Sequence, residues 1–200
     1  MRKLFEIGGI LAGAVLIIFG IATIYMGVDG RSTVRDSLKQ EAIIFGSADD
    51  PAVAKFAPQW AEEQVTNGTQ ARAFAEVIHE HALEGSGGLA YAEMGRFVSA
   101  SDPEDPAGTS DETAALTDEE GNPVPNSARN TWITATALST ALNVSYMAEQ
   151  LALFGIVVGV ALLLSGIGFI ILALGGALRR REWEPLVERE GTGKTTAPAV

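Results

Sequence analysis

The sequence predicts an all-α membrane protein: two transmembrane helices and, between them, a small helical extracytoplasmic domain that contains a disordered acidic loop. Three observations lead there. Two long runs carry no charged residue, Ile7 to Val28 and Leu151 to Leu178. Lys and Arg cluster at the outer flanks of those runs, and the 29–149 segment between them holds 20 acidic against 7 basic residues, a net charge of −13. At about 1.5 Å per residue the two runs reach roughly 33 and 42 Å, enough to cross a hydrocarbon core of about 30 Å. A core helix of a soluble protein rarely stays apolar on every side over such a length.

The boundaries follow in chain order: 1–6 a cytoplasmic N-terminus, 7–28 the first span, 29–149 the extracytoplasmic domain, 150–178 the second span and 179–200 a cytoplasmic tail. The first run is longer than the apolar stretch of a signal peptide and no small-residue cleavage site follows it, so it reads as an uncleaved anchor. Arg2 and Lys3 before the first span and Arg179, Arg180 and Arg181 after the second place both termini in the cytoplasm by the positive-inside rule, with the chain a multi-pass protein of the cell (inner or cytoplasmic) membrane. Arg31 and Arg35 fall on the opposite side and run against that rule.

After the first span Val34, Leu38, Ala42 and Phe45 form a helical stripe that predicts continuation of the membrane helix outward to about Phe45. Asp50 before Pro51 reads as an N-cap with proline at the first helical position, and Pro58 limits that helix. Asn67-Gly68 leads into a helix over about 69–84 with the stripe Ala71, Phe74, Ala75, Ile78 and Ala82, closed by Gly85-Ser86-Gly87-Gly88. A short helix or ordered connection follows at 89–98. Ser99 to Ser127 is rich in Asp, Glu, Pro, Gly, Ser and Thr, with almost no large apolar residue. Such a composition predicts a mobile acidic loop, because little apolar burial offsets its ordering entropy. Helical character returns near Asn130 and runs into the second span.

The spans carry glycine seams. Gly13, Gly20 and Gly27 recur every seven residues, with Gly9 four before Gly13; Gly155, Gly159 and Gly166 lead to Ala173 in the second. Small residues let helix backbones approach closely inside a bilayer, so these positions mark packing against the other span, a second copy or another membrane protein. Neither span holds a charge that would mark an ion path.

The chain has no cysteine, which removes thiol catalysis, disulfides and thiolate metal sites. Its net charge of −11 argues against nucleic acid as a partner. His79 and His81 are the only histidines and point about 200° apart on a helix. Glu76 and His79 match one Glu-x-x-His element of di-iron bundles and are the weak candidates for a metal, but a second copy is absent. Glu84 lies three residues after His81. Gly191 to Thr195 resembles the end of a phosphate loop, yet Glu188 occupies the position where the motif needs glycine. No cofactor is expected.

Two stretches, VIHEHALEGSGGLAYAEM from Val77 to Met94 and RNTWITATALSTALNVSYMAEQLALFGIVVGV from Arg129 to Val160, resemble a group of uncharacterised two-span membrane proteins of actinobacteria. The likeness runs from the first span to Arg181, and members often carry the label "aromatic ring-opening dioxygenase". It implies the two-span topology. It supplies no catalytic residue, since a non-haem iron oxygenase needs two histidines and a carboxylate on one metal and the two histidines here diverge.

The function expected from these readings is that of a non-enzymatic accessory or scaffold subunit acting through protein–protein contacts of its helices. A ligand sensor that signals through a separate partner is the first alternative, since the tail after Leu178 is too short for a signalling domain of its own. A metal-dependent enzyme using Glu76 and His79 is the second.

Overall fold

A computed structural model describes residues 2–175. The expected ends at Arg179, Arg180 and Arg181, the last residues of the second span and the tail lie outside these residues, as do the side chains of Arg2 and Lys3. Four α-helices build the described residues: α1 Arg2–Gln40, α2 Pro51–Phe56, α3 Gly68–Gly85 and α4 Ser127–Leu174. Short 3₁₀ turns lie at Pro58–Trp60, Tyr91–Glu93 and Glu112–Ala114. No strand longer than an isolated bridge occurs among the described residues.

α1 and α4 are long and apolar enough to cross a membrane, and they pack side by side. With 39 and 48 residues they extend about 58 and 72 Å, so each continues well beyond its apolar portion. Their outward faces expose apolar and aromatic side chains: Met26 is 72% and Leu151 69% exposed, with Phe19, Phe154 and Ile171 similar. A buried core helix of a soluble protein has no such surface.

α1 stops earlier than the stripe to Phe45 predicts. Ala42 takes a left-handed backbone with φ of 50°, which breaks the helix after Gln40. Gln64 then donates from Nε2 to the freed Lys39 carbonyl at 2.9 Å. The chain doubles back, so that Phe45 N–H donates to Glu63 O and Val65 N–H to Ile43 O. Phe45 is buried nonetheless, edge-on to Phe74 at 5.2 Å and stacked near Trp60 at 6.1 Å. Its position follows from tertiary packing and not from helical spacing.

The Asp50 cap forms as the sequence predicts: its carboxylate accepts from the amides of Ala52 and Val53, with Pro51 opening α2. Asn67 caps α3. Leu38, Phe45, Val53, Ala57, Val65, Ala71, Ala75, Val77 and Leu142 make a small core that seats α2 and α3 on the outer portions of α1 and α4. We call this part the head. Val77, which lies off the predicted stripe of α3, is among its most buried side chains.

The segment 99–127, expected as a mobile acidic loop, has a paired backbone instead. Phe97 exchanges two hydrogen bonds with Thr109, Val98 donates to Val124 and Leu116 to Val98, and Ala100 donates to Ala114. The reason lies in the acids themselves. Asp102, Asp105, Asp111 and Asp118 each accept the amide two residues ahead, of Glu104, Ala107, Thr113 and Glu120. These are Asx turns, which fold a polar chain locally without an apolar core. Asn126 ties the knot to α4. It caps the helix through the Ala128 and Arg129 amides and donates to the carbonyls of Gly95 and Pro106.

Candidate functional site: the clamp above the glycine seam

The seam glycines of α1 and α4 face one another in an antiparallel ladder. A β-carbon on Gly13 would stand 2.7 Å from the Gly166 carbonyl oxygen, one on Gly20 2.8 Å from that of Gly159, and one on Gly27 2.7 Å from that of Ala152. The relation is mutual: at Gly159 a β-carbon would meet Gly20 O at 2.8 Å, and at Gly166 it would meet Gly13 O at 2.6 Å. Ile17, Ile24, Ile156, Leu163 and Ile170 fill the spaces between these layers. Gly155 stands apart, since its nearest neighbour, Thr23, is 3.9 Å away. Gly9 is half-buried. The seam is thus taken up within the pair at Gly13, Gly20, Gly27, Gly159 and Gly166.

Three residues before Ala152, in the seven-residue row of Ile156, Leu163 and Ile170, Glu149 takes the place of an aliphatic side chain and is 5% exposed. Its Oε1 accepts from Arg31 Nε and Arg35 Nε, both at 2.8 Å, and its Oε2 accepts from the Gly68 amide at 2.5 Å. Chain direction explains the meeting. Side chains lean toward the N-terminus of their helix. Those of Arg31 and Arg35 on α1 therefore lean toward the apolar portion, and that of Glu149 on α4 leans toward the head. Gly68 opens α3, so the carboxylate also sits at a helix N-terminus, where partial positive charge gathers. A side chain at Gly68 would collide with Tyr146 Cα at 2.9 Å, which explains glycine there.

Burial pushes the Glu149 carboxyl up, but the Arg31 guanidinium, the Gly68 amide and Arg35 outweigh it and hold the carboxyl below its ordinary range. Arg31 and Arg35, anomalous under the positive-inside rule, are the cations that make this acid tolerable. Sequence reading placed Glu149 only as the last residue before the second span. Two arginines four residues apart after one span, and one acid before the other, was the signal that could have found the clamp.

The two histidines go to different partners. His81 Nε2 lies 3.0 Å from Asp50 Oδ2, so it pairs across to the start of α2 and not with Glu84. The His81 hydrogen bond in turn is the main cause of the lowered Asp50 pKa. His79 packs edge-on against Trp132 at 5.3 Å. Glu76 and His79 are both exposed, and no three His, Asp or Glu side chains gather into a metal-sized group among the described residues. No family model, curated protein or solved structure matches the chain.

Proposed function

We propose that this is a two-span membrane protein with cytoplasmic termini, whose extracytoplasmic head serves as a non-enzymatic accessory subunit in a membrane complex. The observation that carries this reading is an apolar groove on the head, lined by Tyr91, Trp132, Ile133, Thr136 and Ala137, with a volume of about 380 Å³. It lies on the part of α4 that precedes the apolar portion, where lipid does not explain an exposed apolar surface. Tyr91 and Ile133 are 41% and 47% exposed there. The glycine seam is taken up between α1 and α4 at five of its glycines, which favours a surface on the head for a partner, and the clamp at Glu149 holds the groove in fixed relation to the spans.

The test is purification of the full chain in a mild detergent, with companions identified by mass spectrometry and compared with an Ala137→Glu variant. A stoichiometric companion lost from the variant while its thermal unfolding is unchanged supports the reading. A clean monomer under several mild conditions overturns it. A reporter at position 110 that behaves as cytoplasmic overturns the orientation.

A further inference from the structure

Arg31 and Arg35 share one carboxylate between them, which leaves one positive charge unmatched. Both use Nε toward Glu149, and no hydrogen bond engages their Nη groups among the described residues. Their side chains are 38% and 39% exposed. They open onto a groove of about 360 Å³ along α1 whose walls are Val28, Arg31, Ser32, Arg35, Asp36 and Lys39, with Ile156 of α4 beside Val28. The groove is graded: hydrocarbon at Val28 and Ile156, guanidinium in the middle, and Lys39 at the far end. Asp36 is its other acid, and it pairs with Lys39 at 3.4 Å and with Ser32. Three cations against Glu149 and Asp36 leave a net charge of about one positive.

We infer that this groove binds the phosphate of an anionic phospholipid headgroup, with an acyl chain lying along Val28 and Ile156. The inference rests on the two-span reading proposed above. Arg31 stands about 4–5 Å and Arg35 about 10 Å beyond Val28 along the helix axis, and both side chains lean back toward the apolar portion. That puts the free Nη groups in the headgroup layer, which is roughly 5–8 Å deep on each side of a bilayer. Paired guanidinium N–H donors match phosphate oxygens in geometry as well as charge. A soluble anion would meet the same donors but would gain nothing from the apolar end.

The test uses the full chain in a non-ionic detergent, with binding of phosphatidylglycerol, phosphatidylcholine and inorganic phosphate read by native mass spectrometry and thermal shift. Phosphatidylglycerol is expected to bind and to raise the unfolding temperature, phosphatidylcholine to do so more weakly, and inorganic phosphate at millimolar concentration to do neither. Arg35→Gln should weaken phosphatidylglycerol binding about fivefold, the worth of one cation near a lipid surface, and Lys39→Gln, at a position about 16 Å beyond Val28, about twofold. Lys39 has only an exposed surface partner, so Lys39→Gln reports even if Arg35→Gln fails to fold. Equal binding of the two lipids, unchanged binding in Lys39→Gln, or an equal response to inorganic phosphate would overturn the inference. Vesicle flotation separates the two readings. A chain that inserts into phosphatidylcholine vesicles yet shows no preference for phosphatidylglycerol refutes the headgroup site alone, whereas one that fails to insert refutes the two-span reading.

Discussion

Arg31 and Glu149, 118 residues apart in the chain, meet at 2.8 Å where the charge-free faces of α1 and α4 end. The carboxylate is almost wholly enclosed, and its remaining oxygen holds the first amide of α3. One side chain therefore joins both long helices and the head.

Removing it should cost more than an ordinary surface ion pair. Breaking a buried pair costs about 3–5 kcal/mol, and because both arginines are partly solvated and screened, about 2 kcal/mol is expected for Glu149→Leu. Glu149→Gln keeps an acceptor for the Gly68 amide and should lose about half as much. Denaturant unfolding in a mild detergent measures both, and a Leu variant as stable as wild type would contradict the clamp.

The same carboxylate sets an acid limit. Its pKa lies below the ordinary glutamate value of 4.5 in the folded chain, so the folded state favours the ionised form. Its contribution to stability is present in full above that ordinary value and is lost as pH falls through the lower folded one. The stability gap between wild type and Glu149→Gln should accordingly be constant near neutrality and narrow below about pH 4.5. A gap that widens on acidification would refute the assignment.

The glycine ladder makes position-specific claims. Gly20→Ala would press a methyl group against Gly159 O and Leu163 N, each 2.8 Å away, and should destabilise by about 1–3 kcal/mol. Gly168→Ala meets nothing within 4 Å and should be neutral or slightly stabilising through better helix propensity. Thermal unfolding of the two variants side by side checks the contrast, and equal effects would mean that the helices do not pack in this register.

Asn126→Ala tests whether the acidic segment is held by its tie to α4. The variant loses the cap of α4 and both donors to Gly95 and Pro106, a local cost of about 2 kcal/mol. Hydrogen exchange should rise roughly tenfold or more across 95–125 while the glycine ladder stays protected. Fast exchange there in the wild type would restore the reading of a mobile loop.

Much of the frame was legible without coordinates, because hydropathy, caps and small-residue spacing are local signals. Two runs without charge gave the two long helices, Asp50-Pro51 gave the start of α2, and the seven-residue recurrence of glycine gave the face on which α1 packs. The termination of α1 at Gln40 was not legible, since a stripe to Phe45 continues smoothly until Ala42 turns left-handed to let Phe45 reach Trp60 and Phe74. The backbone pairing of the acidic segment was not legible, because composition measures how little apolar surface it buries, whereas the pairing is supported by aspartates that bond their own backbone. The clamp was hidden for a different reason. Arg31 and Glu149 take their meaning from one another, and only the antiparallel packing of α1 on α4 brings a carboxylate leaning toward the head under two arginines leaning toward the apolar portion. Sequence by itself determined where the long helices lie and which of their faces are small or apolar; tertiary structure decided where α1 stops and which charges share a site, because the chain closes that distance only on folding.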